Sequence, residues 1–175
     1  MAILKLEPLT KAAFAPFGDV IEMQGSDWFP INNGSTQRFH HLGKVQVFGD
    51  DGQAGISLAR GDAFAFPIRI RMLERHPRGS QAWIPFDQTP FVAVVAPNGA
   101  NDKPDETGLR AFYVQGIQGV NYHAGTWHHP LMSLDKQGDF IVVDRIGVAP
   151  NCDECDLEQT YIVDGTSVNP QGQLS

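Results

Sequence analysis

Apolar and polar positions along the chain alternate in short runs broken by Gly, Pro, Asn and Asp. The runs at 19–23, 37–47, 56–63, 64–76, 81–85, 91–96, 111–114, 120–123, 140–145 and 159–163 predict β-strands. Turn sequences lie between them, at Asp50-Asp51-Gly52, Asn98-Gly99 and Gly138-Asp139, and strands at this spacing predict an all-β sandwich or barrel. The pattern predicts one helix, a short one. Thr10 caps it, it covers 11–15, and Pro16-Phe17-Gly18 stops it. Polar residues at 98–108 predict the longest loop. With no repeat or linker in view, residues 1–165 are expected to form a single barrel domain and 166–175 a frayed tail.

One run carries chemistry at its end. Every second residue of 64–76 gives Phe64, Phe66, Ile68, Ile70, Met72, Glu74 and His76; the alternate set is Ala65, Pro67, Arg69, Arg71, Leu73 and Arg75. Side chains alternate across a strand, so the first set is expected to face the interior, with a carboxylate and an imidazole at the end of an apolar wall. A carboxylate there must be paired, metal-bound or wetted. The competing reading is a strand that emerges into solvent at Glu74, with a structural ion pair.

Composition narrows the class. The 18 glycines and 12 prolines among 175 residues exceed the usual share of about 12% for the two together and argue against long helices. A hydrophobic content of 42% supports an ordinary core without disulfides. The formal net charge is −7, but 151–175 hold five acidic residues and no Lys or Arg, so the rest of the chain carries only −2. Neither part offers the basic stripe that phosphate backbones require, which argues against a nucleic-acid partner. No apolar run reaches membrane-span length, and Met1-Ala2-Ile3-Leu4-Lys5-Leu6-Glu7 lacks the features of a signal peptide, so the expectation is a cytoplasmic protein without a membrane partner. The two cysteines form a single Cys152-Asp153-Glu154-Cys155 among acids that would raise a thiol pKa, and they read as structural.

Two clusters hold most of the reactive groups: Glu74-Arg75-His76-Pro77-Arg78-Gly79-Ser80-Gln81 and Asn121-Tyr122-His123-Ala124-Gly125-Thr126-Trp127-His128-His129-Pro130. They resemble the two short motifs of the cupin superfamily of β-barrels, G-x5-H-x-H-x(3–4)-E-x6-G and G-x5-P-x-G-x2-H-x3-N. Here Glu74 replaces the first His, Gln81 the Glu, His123 the Pro and Met132 the Asn, while Gly125 and His128 match. The resemblance implies a cupin-like, jelly-roll β-barrel with a short N-terminal helix. A more specific likeness runs through four blocks in order. These are Pro8-Leu9-Thr10 with Ala13-Phe14-Ala15-Pro16-Phe17-Gly18-Asp19-Val20-Ile21, Ile31-Asn32-Asn33-Gly34 with Gln37-Arg38-Phe39-His40, the Glu74–Gln81 cluster, and Gly119 to Leu131. Together they are similar to the ureidoglycolate lyase family, which in purine (allantoin) catabolism releases urea and glyoxylate from (S)-ureidoglycolate. The resemblance also implies a homodimer.

The residues suit that reaction. Ureidoglycolate carries a hydroxyl, a carboxylate and a urea nitrogen on one carbon. Its cleavage needs a base for the hydroxyl proton, an acid for the departing nitrogen and a cation for the carboxylate. No nucleophile is required, and none of the usual nucleophilic signatures is present. Glu74, His76, His123 and His128 are the candidate proton-transfer groups. Arg38 is the candidate carboxylate anchor, since Arg69, Arg71 and Arg75 alternate away from the interior, and Gln37, His40 and Asn32 are candidate hydrogen-bond donors beside it. Trp83 and Trp127 are expected to be packing residues, His129 to be structural or at an interface, and His41 to lie at the surface.

Glu74, His76, Gln81 and His128 also form a candidate ligand set for a divalent ion such as nickel, manganese or zinc, and no organic cofactor is expected. Two other functions fit the residues: a metal-dependent cupin oxygenase or isomerase acting on a small hydroxy acid, and a non-catalytic cupin that binds a small carboxylate.

Overall fold

A computed structural model describes residues 1–166; the tail expected to fray lies, from position 167 on, outside the described residues. The elements run β1 (Ala2–Leu4), β2 (Leu6–Pro8), α1 (Lys11–Phe14), β3 (Gly18–Ile21), β4 (Trp28–Ile31), β5 (Thr36–Phe39), β6 (Gln53–Gly61), β7 (Ala63–Phe64) and β8 (Ile68–Arg75). They continue with β9 (Gln81–Pro85), β10 (Phe91–Ala96), β11 (Arg110–Val114), β12 (Gly119–Tyr122), β13 (Trp127–His128), β14 (Met132–Leu134), β15 (Gly138–Ile146) and β16 (Asp153–Val163). The architecture is all-β and cupin-like. The one α-helix among the described residues begins as expected, with the Thr10 hydroxyl accepting from the Ala13 N–H at 3.2 Å. No helix among the described residues is long and apolar enough to cross a membrane.

The larger sheet runs β1-β16-β8-β13-β10-β11-β2, with β14 beside β10 and β7 beside β14. Its two edge strands are joined by Lys5 alone. Two Cα–Cα steps hold Leu4 and Leu6 within about 7.6 Å, so the sheet must curl back on itself. A first core fills one face of it, including Leu6, Ile70, Leu73, Val94 and Trp127. The smaller sheet runs β3-β12-β9-β15-β6 and packs on the other face over a second core of Phe14, Phe17, Val95, Phe112, Tyr122 and Phe140. β10 serves both cores, Val92, Val94 and Ala96 facing one and Phe91, Ala93 and Val95 the other. This is why 91–96 reads as an unbroken apolar run.

Three sequence expectations need correction. The run 64–76 is not one strand, because Pro67, which has no N–H to give the ladder, separates β7 from β8. The run 37–47 pairs only through Phe39, as half of the β4–β5 hairpin, and then leaves as a loop that touches the ladder again at Val47 opposite Gly79. The simple alternation through Glu74 also fails. Met72 pairs with Asp156 and Ile70 with Tyr161, so four residues of β16 stand opposite Arg71 alone. Across this irregularity the inward face shifts from Ile68 and Ile70 to Leu73, all three buried in the first core. Glu74 therefore leaves the apolar wall and turns toward the second sheet.

Candidate active site

Strand register assembles the site. Glu154 on β16, Glu74 on β8, His128 on β13 and Val95 on β10 stand opposite one another in a row across four neighbouring strands. Directly opposed residues share a face, and Val95 belongs to the second core, so this row faces the gap between the sheets. From the other side, Tyr122 and Gln81, paired across β12 and β9, complete the gap. His76, two residues beyond Glu74, returns to the same face.

The geometry centres on one carboxylate oxygen. Glu74 Oε1 lies 3.6 Å from His128 Nε2 and 3.8 Å from His76 Nε2. The distal nitrogens fix both tautomers. Nδ1 of His128 is 2.8 Å from the Thr126 carbonyl and Nδ1 of His76 is 2.7 Å from the Asn151 carbonyl. A carbonyl only accepts, so each Nδ1 carries its hydrogen, and in the neutral ring each Nε2 is a bare lone pair. The Tyr122 ring stacks on His128 at 4.2 Å and 12°, holding it in plane, while its own hydroxyl pKa is raised by burial and by the Glu74 charge. His128 is 1% exposed, and both Nε2 atoms are buried without a hydrogen-bond partner among the described residues.

Two lone pairs aimed at a carboxylate repel it unless a cation lies between them. The His128 imidazole, helped by the charges of His128 and His76 and opposed by burial, holds the Glu74 carboxyl below its ordinary pKa. The cation can be a proton shared with either Nε2, or a divalent ion. The three donor atoms lie within 4.8 Å of one another, and two imidazoles with one carboxylate suit zinc, nickel or manganese. Gln81 faces the same gap, but its Oε1 is engaged by the Trp83 indole N–H at 2.7 Å.

The remaining candidates lie elsewhere. His123 follows the inward-facing Tyr122 and so points to the opposite side of the smaller sheet, where its Nε2 is 3.1 Å from Asp19 Oδ1. His40 stacks on His41 at 4.0 Å, and both line the same recess as His123, away from Glu74. Asn32, Gln37 and Arg38 sit exposed on the β4–β5 hairpin, where Asn32 Nδ2 donates to Thr36 Oγ1 at 3.3 Å and Arg38 makes no ion pair among the described residues. Among the described residues no hydrogen bond or ion pair joins the hairpin to Glu74. Arg75 turns to the first core, 4.7 Å over the Trp127 ring. Tyr122 and the two carbonyls that set the tautomers were not among the candidates, since their roles depend on register and backbone direction. Cys152 is also near, its Sγ 3.9 Å from Glu74 Oε2; burial and the Glu74 charge raise its thiol pKa.

A family model described as ureidoglycolate lyase matches residues 1–164. Among similar proteins, a ureidoglycolate lyase of Pseudomonas syringae pv. tomato is 56% identical over 159 residues, covering 91% of this chain and 92% of the relative. Ureidoglycolate lyases of Pseudomonas fluorescens and Pseudomonas savastanoi pv. phaseolicola are 57% and 58% identical over 154 residues, covering 88% of this chain and 91% and 89% of the relatives.

Proposed function

The chain belongs to the ureidoglycolate lyase family, and we propose that it cleaves (S)-ureidoglycolate to glyoxylate and urea at the centre formed by Glu74, His76 and His128. The observation that carries the placement is the pair of buried, unpartnered Nε2 atoms converging on one carboxylate oxygen. As the substrate hydroxyl loses its proton, its O–H electron pair becomes the second C–O bond. The C–N pair leaves with the urea nitrogen, which takes up a proton, and no water is consumed. One imidazole Nε2 accepts the hydroxyl proton and the other, protonated, supplies the nitrogen. Glu74 balances the imidazolium charge, and the Thr126 and Asn151 carbonyls keep both rings in the tautomer these transfers need. Each transfer is worth about 10²–10⁴ in rate. Glu74→Gln, which keeps the shape and removes the charge, should lower kcat/KM by that factor; an unchanged value would remove the centre from the chemistry.

A second reading is favoured by the same bare nitrogens. A divalent ion held by Glu74, His76 and His128 would supply a Lewis acid for the substrate's hydroxyl and carboxylate oxygens. Ion and proton compete for the same Nε2 atoms. Metal analysis of the purified protein, with turnover measured before and after chelation, distinguishes them: loss of activity with the chelator and return with zinc, nickel or manganese assigns the ion.

We also propose a homodimer in the cytoplasm, with Arg38 as the carboxylate anchor reaching a centre across the subunit interface. The Arg38 guanidinium, without an ion pair among the described residues, and the exposed Trp28 and Phe29 of its hairpin support this. A monomer by light scattering, or full activity in Arg38→Ala, would contradict it.

A further inference from the structure

On the far side of the smaller sheet from Glu74 lies a recess of ≈390 Å³, lined by Lys11, Asp19, Ser26, Asp27, His40 and His123 among others. Its polar groups are arranged in a definite way. Asp19 Oδ2 accepts from Asn121 Nδ2 at 2.8 Å and from the Lys44 N–H at 3.1 Å, and Oδ1 lies against His123 Nε2. Burial opposes ionisation of Asp19, but these donors outweigh it and hold its carboxyl below the ordinary value. An ionised carboxylate only accepts, so Nε2 of His123 carries the hydrogen. Nδ1 of the neutral ring is then a bare acceptor, with no partner among the described residues. Lys11 on the same wall donates to Ser26 Oγ at 2.5 Å and has no carboxylate partner among the described residues. The recess thus holds an ammonium that makes no ion pair among the described residues and a hydrogen-bond acceptor whose tautomer is fixed by a half-buried network. Asp27, also without an ion pair among the described residues, disfavours a second carboxylate in the ligand.

We propose that this recess is a second binding site, separate from the Glu74 centre, for a small α-hydroxy monocarboxylate, its carboxylate on Lys11 and its hydroxyl donating to His123 Nδ1. The Asp19–His123 pair acts here as a fixed acceptor, and the ligand leaves unchanged. The assignment rests on the reading that catalysis belongs to Glu74, His76 and His128.

Glycolate is the probe, because it carries both groups and lacks the urea that leaves in the reaction; acetate, without the hydroxyl, is the control. In an NMR titration of the intact protein, glycolate should shift the His123 and Lys11 side-chain resonances saturably, and acetate should bind more weakly. His123→Ala and Lys11→Met should each weaken glycolate at this site at least about tenfold, as expected for losing a charge-assisted or buried hydrogen bond. Glu74→Gln should leave that binding unchanged. No saturable shift at His123 and Lys11, or equal binding of acetate, overturns the proposal while leaving the Glu74 centre intact. Loss of glycolate binding in Glu74→Gln also overturns it, by assigning the ligand to the Glu74 centre. If His123→Ala abolishes turnover and Glu74→Gln does not, the recess is itself the catalytic centre, and both the proposal and the reading it rests on fail.

Discussion

At the scale of single residues, backbone carbonyls decide what the side chains can do. The Thr126 and Asn151 carbonyls place a hydrogen on Nδ1 of His128 and His76, and this turns two histidines beside a glutamate into two acceptors facing it. Two-bond ¹H–¹⁵N spectra of the metal-free protein should therefore show both rings, when neutral, as the Nδ1–H tautomer. An Nε2–H tautomer at either would contradict the geometry. Away from the centre, Asp87 offers a test of the same kind. The buried Thr89 hydroxyl donates to Asp87 Oδ1 at 2.6 Å, and with Lys136 and the Thr89 N–H it lowers the carboxyl from 3.8 to about 2, against desolvation. A depressed carboxyl pKa stabilises the fold above the unfolded value of 3.8, and that contribution disappears as pH falls toward 2. In Thr89→Val the Asp87 titration followed by NMR should move up toward 3.8, and the variant should lose less stability than the parent between pH 4 and about 2.

At the scale of elements, what could be read in the sequence depended on whether a strand's environment is regular. The run 91–96 was plain because β10 is buried on both faces, and α1 was plain because Thr10 caps it. Glu74, His76 and His128 were legible as a set from their residue types and family blocks. That His123 leaves them was not, because it follows from Tyr122 being the inward residue of β12. The irregularity opposite Arg71 was equally hidden: the four residues facing it lie in β16, more than 80 positions away in sequence. Alternation alone puts Met72 inside and Leu73 outside. The structure buries Leu73 completely and leaves Met72 half-buried. Leu73→Ala should therefore cost about 2–5 kcal/mol in chemical denaturation, the usual range for a buried leucine, and Met72→Ala clearly less. The reverse order would restore the simple strand.

At the scale of the whole molecule, the charge and the chain ends change meaning. The acidic stretch after Asn151 is not a solvated appendage; it supplies β16, which lies along the arginine-bearing β8, with Asp153 2.9 Å from Arg75. Likewise the first eight residues are structural, because β1 and β2 pair with β16 and β11 and join the two edges of the larger sheet through Lys5. Removing residues 1–5 should open that edge and lower the melting temperature by several degrees in calorimetry, at about 2–4 °C per kcal/mol for a chain of this size. An unchanged melting temperature would mean that the sheet is held closed by other contacts. The activity is tested most directly on the intact protein. Incubated with (S)-ureidoglycolate, it should release glyoxylate and urea in equal amounts and no ammonia, as an elimination that consumes no water requires. Release of ammonia in place of urea, or no glyoxylate with or without added divalent metal, would contradict the account.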